Sequence, residues 1–392
     1  MLAPRSIAVV LGTRPEHIKL APLIRLLGPA ARVIHSGQHY DPAMTGVLPG
    51  TATVGEEPLW IGGQHRGIQI GAATAQLADR WRDDRPSAVV VQGDTNTALA
   101  GALAANSCRV CLVHVEAGLR SGDRDMPEEH NRILIDHLSD LCCAPTSGNA
   151  ANLRAESIPG HRITITGNPV VEAVRHTSRD HQAAEVILGD LAGTDFALAT
   201  FHRPENTDPP ARLAAVLHAL ASTALPVLIP LHPRTRRRIR ELGLNLGRLG
   251  IRTCDPPPYP AFLALMERAR VLISDSGGIQ EEATIIGRPL IVLRKSTERP
   301  EALGALVRIT PSPADLPGLT ADLITMPAAR HTATPFGDGL ASQRISRAIT
   351  TLLGEHPGSP PGSPSPAPQV SAQPGRGAGN PQHPLDEAIS GV

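Results

Sequence analysis

Residues 7–19 read Ile7-Ala8-Val9-Val10-Leu11-Gly12-Thr13-Arg14-Pro15-Glu16-His17-Ile18-Lys19. Five consecutive apolar residues are too short for a buried helix and predict a strand covered on both faces. Gly12 and Thr13 break the run, and Pro15 suits the first turn of a helix, where its missing N–H costs no hydrogen bond. An apolar strand leading straight into a helix is the repeating unit of a parallel sheet layered with helices.

The same unit recurs outward from this stretch. Apolar runs at 32–35, 88–91, 110–115 and 141–144 continue one series of strands, with helical patterns between them. Runs at 196–201, 227–231, 271–274, 290–293 and 306–309 form a second series. An α/β protein of two doubly wound, Rossmann-like domains is expected. With 392 residues, each domain can bury a core of its own. Thr166-Gly167-Asn168-Pro169 falls between the series, just before a helical pattern at 170–174. The expected division is therefore 1–168 and 169–340, then a helix at 341–354. Residues 355–392 are mostly Pro, Gly, Ser, Ala and Gln and predict a disordered tail.

Composition excludes several classes of function. Lys plus Arg and Asp plus Glu number 37 each, so no overall positive field draws in nucleic acid or an anionic membrane. No apolar run reaches spanning length and no signal-peptide pattern precedes residue 7, so a cytoplasmic protein is expected. The five cysteines are odd in number. Cys108 and Cys111 make a C-x-x-C, but they and the Cys142-Cys143 pair flank or enter apolar strands, without a second C-x-x-C or a His pair nearby. Reduced core thiols are expected, with no disulfide framework and no metal.

Ligands of open α/β sheets sit outside the carboxyl ends of the strands, and the motifs richest in functional residues fall there. Arg14 and Lys19 lie near a helix N-terminus and suit an anion. Ser274-Asp275-Ser276-Gly277-Gly278-Ile279-Gln280-Glu281-Glu282 ends a strand and starts a helix, and its glycines let backbone amides approach a diphosphate. Glu282, one turn on, can accept ribose hydroxyls. Asp94, Glu116 and Glu128 come from three consecutive strand ends, and carboxylates crowded in a dry cleft acquire the shifted pKa values that acid–base chemistry on a carbon–hydrogen bond requires. Taken singly, Asp94 and Glu128 also suit helix caps. His202, after the first strand of the second series, can bind phosphate or carry a proton.

In order, GTRPE at 12–16, GDT at 93–95, HVEAGLRS at 114–121, MPEEHNR at 126–132, HRPEN at 202–206, SDSGGIQEEA at 274–283 and TERPE at 297–301 resemble the non-hydrolysing UDP-N-acetylglucosamine 2-epimerases, from about residue 7 to 353. The resemblance implies a glycosyltransferase-B-like fold with UDP between two domains facing a central cleft. It implies that Arg14, Lys19, His202, Phe262, Ser276, Gly277, Gly278, Glu282 and Arg299 hold the nucleotide. Asp94, Glu116 and Glu128 match the family's catalytic acids, with Arg132 and His202 beside them. The implied reaction is anti-elimination of UDP to a 2-acetamidoglucal followed by re-addition, without cofactor or metal. A UDP-sugar is the implied partner, and a homodimer the expected assembly.

Two departures stand out. Gln38-His39-Tyr40-Asp41 lacks the basic third residue of allosterically regulated relatives, so turnover without an activating sugar nucleotide is expected; His39, Arg66 and Gln69 are the polar residues left to compensate. Tyr40 also looks closer to relatives acting on 2,3-diacetamido uronic acids. Pro257 replaces a Gln in the loop expected to face uracil. A hydrolysing 2-epimerase, a glycosyltransferase and a catalytically silent UDP-sugar binder are the alternatives. The three acids, all in the first domain, weigh against the last two.

Overall fold

The computed structural model describes residues 2–3, 5–38, 59, 61–326 and 334–355. It contains two six-stranded parallel sheets. The first is built from β1 (Ile7–Leu11), β2 (Ala31–His35), β3 (Ala88–Gln92), β4 (Cys111–Val115), β5 (Leu141–Ala144) and β6 (Ile163–Ile165) in the order β2-β1-β3-β4-β5-β6. The second comprises β7 (Ala197–Thr200), β8 (Val227–Pro230), β9 (Ile251–Cys254), β10 (Val271–Ser274), β11 (Leu290–Leu293) and β12 (Val307–Thr310), ordered β12-β11-β10-β7-β8-β9. The apolar runs read from the sequence are these strands, apart from shifts at their ends. The edge strands β6 and β9 lack such a run because they are only partly buried.

Both sheets reverse direction once. The switch points lie between β1 and β3 and between β7 and β10, which is where ligand clefts open in doubly wound sheets. The loops after these four strands carry Arg14, Asp94, His202 and Ser276.

Inner strands are buried on both faces; every residue of β1 is fully inaccessible. The two sheets do not have wholly separate cores. Ile18, from the helix Arg14–Leu27 of the first, packs with Val170, Val174 and the apolar residues around β7 and β10. The last helix, Ala341–Glu355, returns to the first sheet, where Ile345 and Ile349 join Leu20, Leu23, Val113 and Leu141. Each such fully buried side chain contributes about 1.5–3 kcal/mol. Among the described residues no helix is long and apolar enough to cross a membrane. The five cysteines are free thiols, and burial pushes Cys143 up to about 12, which leaves it unreactive. His39, Tyr40, Asp41 and the tail beyond Glu355 lie outside the described residues.

Candidate active site

The first sheet's site begins at the entry to the helix Arg14–Leu27. Glu16 accepts from the backbone amides of Gly12 (3.0 Å) and Thr13 (2.8 Å) and from the Thr13 hydroxyl, while its other oxygen takes the hydroxyl of Thr95 at 2.7 Å. It thus ties the loop after β1 to the loop after β3. Burial raises its carboxyl to about 7 against those hydrogen bonds. One turn on, buried Lys19 places Nζ 2.6 Å from Glu116 Oε1 and 2.7 Å from Glu281 Oε2.

Glu116 follows β4. It is 3% exposed and sits at φ +67°, a left-handed conformation that costs a non-glycine residue about 1–3 kcal/mol. The surroundings over-determine it. Asn168 Nδ2 donates to Oε1 at 2.7 Å, Gln92 donates to Oε2, and Arg299 Nη2 stands 3.6 Å from Oε1. Burial alone would raise this carboxyl, but Lys19 and Arg299 overcome it and keep Glu116 ionised, below the usual carboxylate range. Beneath the turn, the ring nitrogens of fully buried His114 lie 2.6 Å from Asp136 Oδ1 and 2.8 Å from the Gly93 carbonyl oxygen. Asp136 also accepts from the Gly118 amide and pairs with Arg120 at 2.8 Å. At Gly118, with φ +83°, a side chain would run into the Asn149 carbonyl.

Asp94 ends the loop after β3. Its carboxylate pairs with Arg132, and its carbonyl takes Asn131 Nδ2 at 2.7 Å, so the helix Pro127–Leu138 grips the loop twice. Arg132 also pairs with Glu129, whose carboxylate accepts the Ser121 amide (3.0 Å), the Ser121 hydroxyl (2.9 Å) and the Gly122 amide (2.9 Å). Of the Glu128-Glu129 pair, Glu129 is the buried clamp. Glu128, at the second helical position, is half-buried and makes no hydrogen bond or ion pair among the described residues.

On the second sheet, partly exposed His202 lies with Nδ1 3.2 Å from Asp275 Oδ1. Burial would raise Asp275, but His202, Asn206 and the Arg203 amide hold it below its usual value. Ser276 holds the N-cap position of the helix Gly277–Ile286 without a side-chain cap bond, and Ser276, Gly277 and Gly278 are only half-buried. The Arg299 guanidinium lies over this N-terminus, where a Cβ on Gly277 would come 2.5 Å from Nη1. Glu298 is gripped by Arg299 and by Arg294 at 2.8 Å, with Arg203 at 4.0 Å. Burial opposes its ionisation, yet Arg299, Arg294, Arg132 and Arg203 hold it well below the usual range, so one buried carboxylate faces four guanidinium groups. Glu282 accepts the Tyr259 hydroxyl at 2.9 Å, and burial raises its carboxyl to about 6. Arg14 crosses from the first sheet to the Pro257 carbonyl at 2.9 Å, and Phe262 packs on the core behind.

Residues 29–350 match the family described as UDP-N-acetylglucosamine 2-epimerase. The chain belongs to that family. The UDP-N-acetylglucosamine 2-epimerase of Methanocaldococcus jannaschii is 36% identical over 363 residues, covering 88% of this chain and 99% of its own. The UDP-2,3-diacetamido-2,3-dideoxy-D-glucuronate 2-epimerase of Pseudomonas aeruginosa is 33% identical over 366 residues, 88% of this chain and all of its own. The crystal structure of the M. jannaschii enzyme in complex with UDP-GlcNAc and UDP superposes with a TM-score of 0.80 at 34% identity, over 88% of this chain and 99% of that one.

In this member of the 2-epimerase family, Asp94 and Glu116 follow the neighbouring strands β3 and β4, and a Cβ on Gly93 would sit 3.5 Å from Glu116 Oε2. Lys19 and Arg299 join Glu116 from opposite sheets. Gln38 accepts from Thr97, Gln69 accepts from Asn96 at 2.7 Å, and Arg66 donates to Asn131, so all three gather beside the Asp94 loop. Sequence reasoning missed Asn168, Glu281, Glu298, Glu129 and the His114–Asp136 pair. Asn168 was visible only as a turn residue. The adjacent acids of Glu128-Glu129 and Glu281-Glu282 are distinguished by helix phase, which the motif alone does not give.

Proposed function

We propose that the protein is a UDP-sugar 2-epimerase that interconverts UDP-N-acetylglucosamine and UDP-N-acetylmannosamine. One observation carries the reading: an ionised carboxylate, Glu116, sits in a strained and over-determined turn next to Asp94 while cations from both sheets converge on it. A base lifts the proton from carbon 2 of the sugar as UDP leaves carbon 1, giving 2-acetamidoglucal; a proton then returns to the opposite face and UDP re-adds. Glu116, Asp94 and Glu128 are the groups assigned to proton transfer, with Arg132 orienting Asp94 and His202, steered by Asp275, at the phosphate side. Departing diphosphate takes the Ser276–Gly278 amides with Arg14, Lys19 and Arg299, and these donors stabilise the developing charge. Glu282 receives the ribose and Phe262 lies by the base.

In this reading residues 1–168 carry the acids and 169–340 hold the nucleotide. A cytoplasmic homodimer belongs to the same reading. Ile68, Leu103 and Leu134 are exposed on three neighbouring helices that such a dimer would cover, and light scattering measures it.

The test is NMR of products from UDP-N-acetylglucosamine in heavy water. Expected is the manno epimer of the intact nucleotide sugar with deuterium at carbon 2. Release of free N-acetylmannosamine makes the enzyme hydrolysing, and absence of exchange makes it a binder. If UDP-N-acetylglucosamine stays protiated while a UDP-2,3-diacetamido uronic acid exchanges, the substrate is that of the P. aeruginosa relative.

A further inference from the structure

Asn168 and Glu281 have no part in the reading above, yet both are 1% exposed and lie against Glu116. Three side chains stand against both acids at once, Asn168 through hydrogen bonds and Lys19 and Arg299 through ion pairs. Lys19 Nζ is 2.6 Å from Glu116 Oε1 and 2.7 Å from Glu281 Oε2, the latter an ion pair without hydrogen-bond angles. Asn168 Nδ2 donates to Glu116 Oε1 at 2.7 Å and to Glu281 Oε1 at 2.9 Å. Arg299 stands 3.6 Å from Glu116 through Nη2 and 2.7 Å from Glu281 through Nε. The two carboxyl groups lie close enough to perturb each other's ionisation. Asn168 itself cannot drift, because its side-chain oxygen accepts the Val170 amide at 3.0 Å and its own amide donates to Phe336 at 2.8 Å. Lys19, on the helix Arg14–Leu27, and Glu116, after β4, belong to the first half; Glu281, on the helix Gly277–Ile286, and Arg299, after β11, belong to the second, and Asn168 stands at the crossing between them.

We propose that Glu281 is a positioning residue for Glu116, forming with Asn168, Lys19 and Arg299 a clasp across the seam that aligns the Glu116 carboxylate only when the second half is in place. The clasp rests on the epimerase reading above.

Two carboxylates this close titrate as a pair. Burial raises Glu281 to about 7, with Arg299 and Lys19 pulling the other way and Glu116 adding to the rise, while Glu116 stays ionised. Below that pH Glu281 holds the shared proton and donates it in a hydrogen bond to Glu116. Above it the donor is lost and Glu116 faces a like charge. The charged groups facing Glu281 are Lys19 from the helix Arg14–Leu27, Glu116 from the loop after β4 and Arg299 from the loop after β11; Glu298 lies beyond Arg299.

The test follows deuterium entry at carbon 2 and UDP affinity across pH in the wild type, Glu281→Ala and Glu281→Gln. Glu281→Ala is expected to lower kcat about ten-fold or more, the loss of one charge-assisted hydrogen bond, with KM changing less than about three-fold. Glu281→Gln keeps a donor that never ionises. It is expected to retain most of the rate below about pH 7 and to lack the decline the wild type shows above it. A Glu281→Ala enzyme within about two-fold of wild type overturns the clasp, as does a decline that persists in Glu281→Gln. If Glu281→Ala does not fold, the Glu281→Gln profile decides alone. A wild type that exchanges no deuterium defeats the epimerase reading, a separate result.

Discussion

The loops after β3 and β4 and those after β7, β10 and β11 border one seam but are held by different means. On the first sheet, side chain clamps side chain: Glu116 is buried at φ +67°, Asp136 and His114 brace its turn, and Arg132 spans Asp94 and Glu129. On the second, buried carboxylates are also held by side chains, but the residues facing the seam include a half-buried turn at Ser276–Gly278 and guanidinium groups. Ser276–Gly278 remain partly open, His202 is partly exposed, and several guanidinium groups crowd Glu298. Proton transfer tolerates little misplacement, and Glu116 and Asp94 are fixed beforehand, whereas Glu128 makes no bond among the described residues. An anion brings its own charge and needs only donors to receive it.

The contrast is open to experiment, and the largest effect is expected at Glu116. Glu116→Gln keeps shape and removes the ionisable group, so turnover should fall about 10³-fold while UDP affinity, by calorimetry, stays within about three-fold. Parallel losses of rate and affinity would erase the division between the two loop sets. Gly118→Ala should instead cost stability. Its Cβ would lie 2.3 Å from the Asn149 carbonyl oxygen at a φ of +83°, a penalty of about 3 kcal/mol read as a melting temperature lower by several degrees. A normal melting curve would show that the acid-bearing turn is less constrained than its contacts imply.

Gly277→Ala probes the other set. The added methyl meets Arg299 and Glu298 side-chain atoms at 2.5 and 2.6 Å, and no left-handed φ is involved. UDP should bind about ten-fold more weakly, with the melting temperature nearly unchanged. The smallest effect is expected from Tyr259→Phe. Burial raises Glu282 to about 6 and the Tyr259 hydrogen bond restrains that rise. If the ionised carboxylate receives the ribose, UDP affinity climbs as pH increases through about 6, and losing the phenol moves that climb to higher pH. An unmoved midpoint would remove Glu282 from the nucleotide site.

Much of this architecture can be read from the chain because buried parallel strands are written as unbroken apolar runs, such as Ile7–Leu11. The edges are harder. β6 and β9 are half-solvated, and Ile163–Ile165 carries no run that distinguishes it from a loop. Asp94 and Glu116 stand out because each directly follows a recognisable strand. Asp136 does not, since nothing in Ile135-Asp136-His137 marks it as the partner of a histidine 22 residues earlier. Glu281 is hidden for a similar reason: its partners Lys19, Glu116 and Asn168 all belong to earlier parts of the chain, and only the folded crossing brings them to it.

The last helix has a consequence for synthesis. Ile345 and Ile349 complete a core whose other walls are β1 to β5 and the helix Arg14–Leu27. A ribosome delivers those walls first and the closing piece last, after the whole second sheet has emerged. The N-terminal sheet must therefore wait with an apolar groove uncovered while its partner folds, contrary to the common order in which the leading domain finishes before the next begins. A stop codon before residue 341 would leave the second sheet's strands intact but the first sheet permanently unclosed.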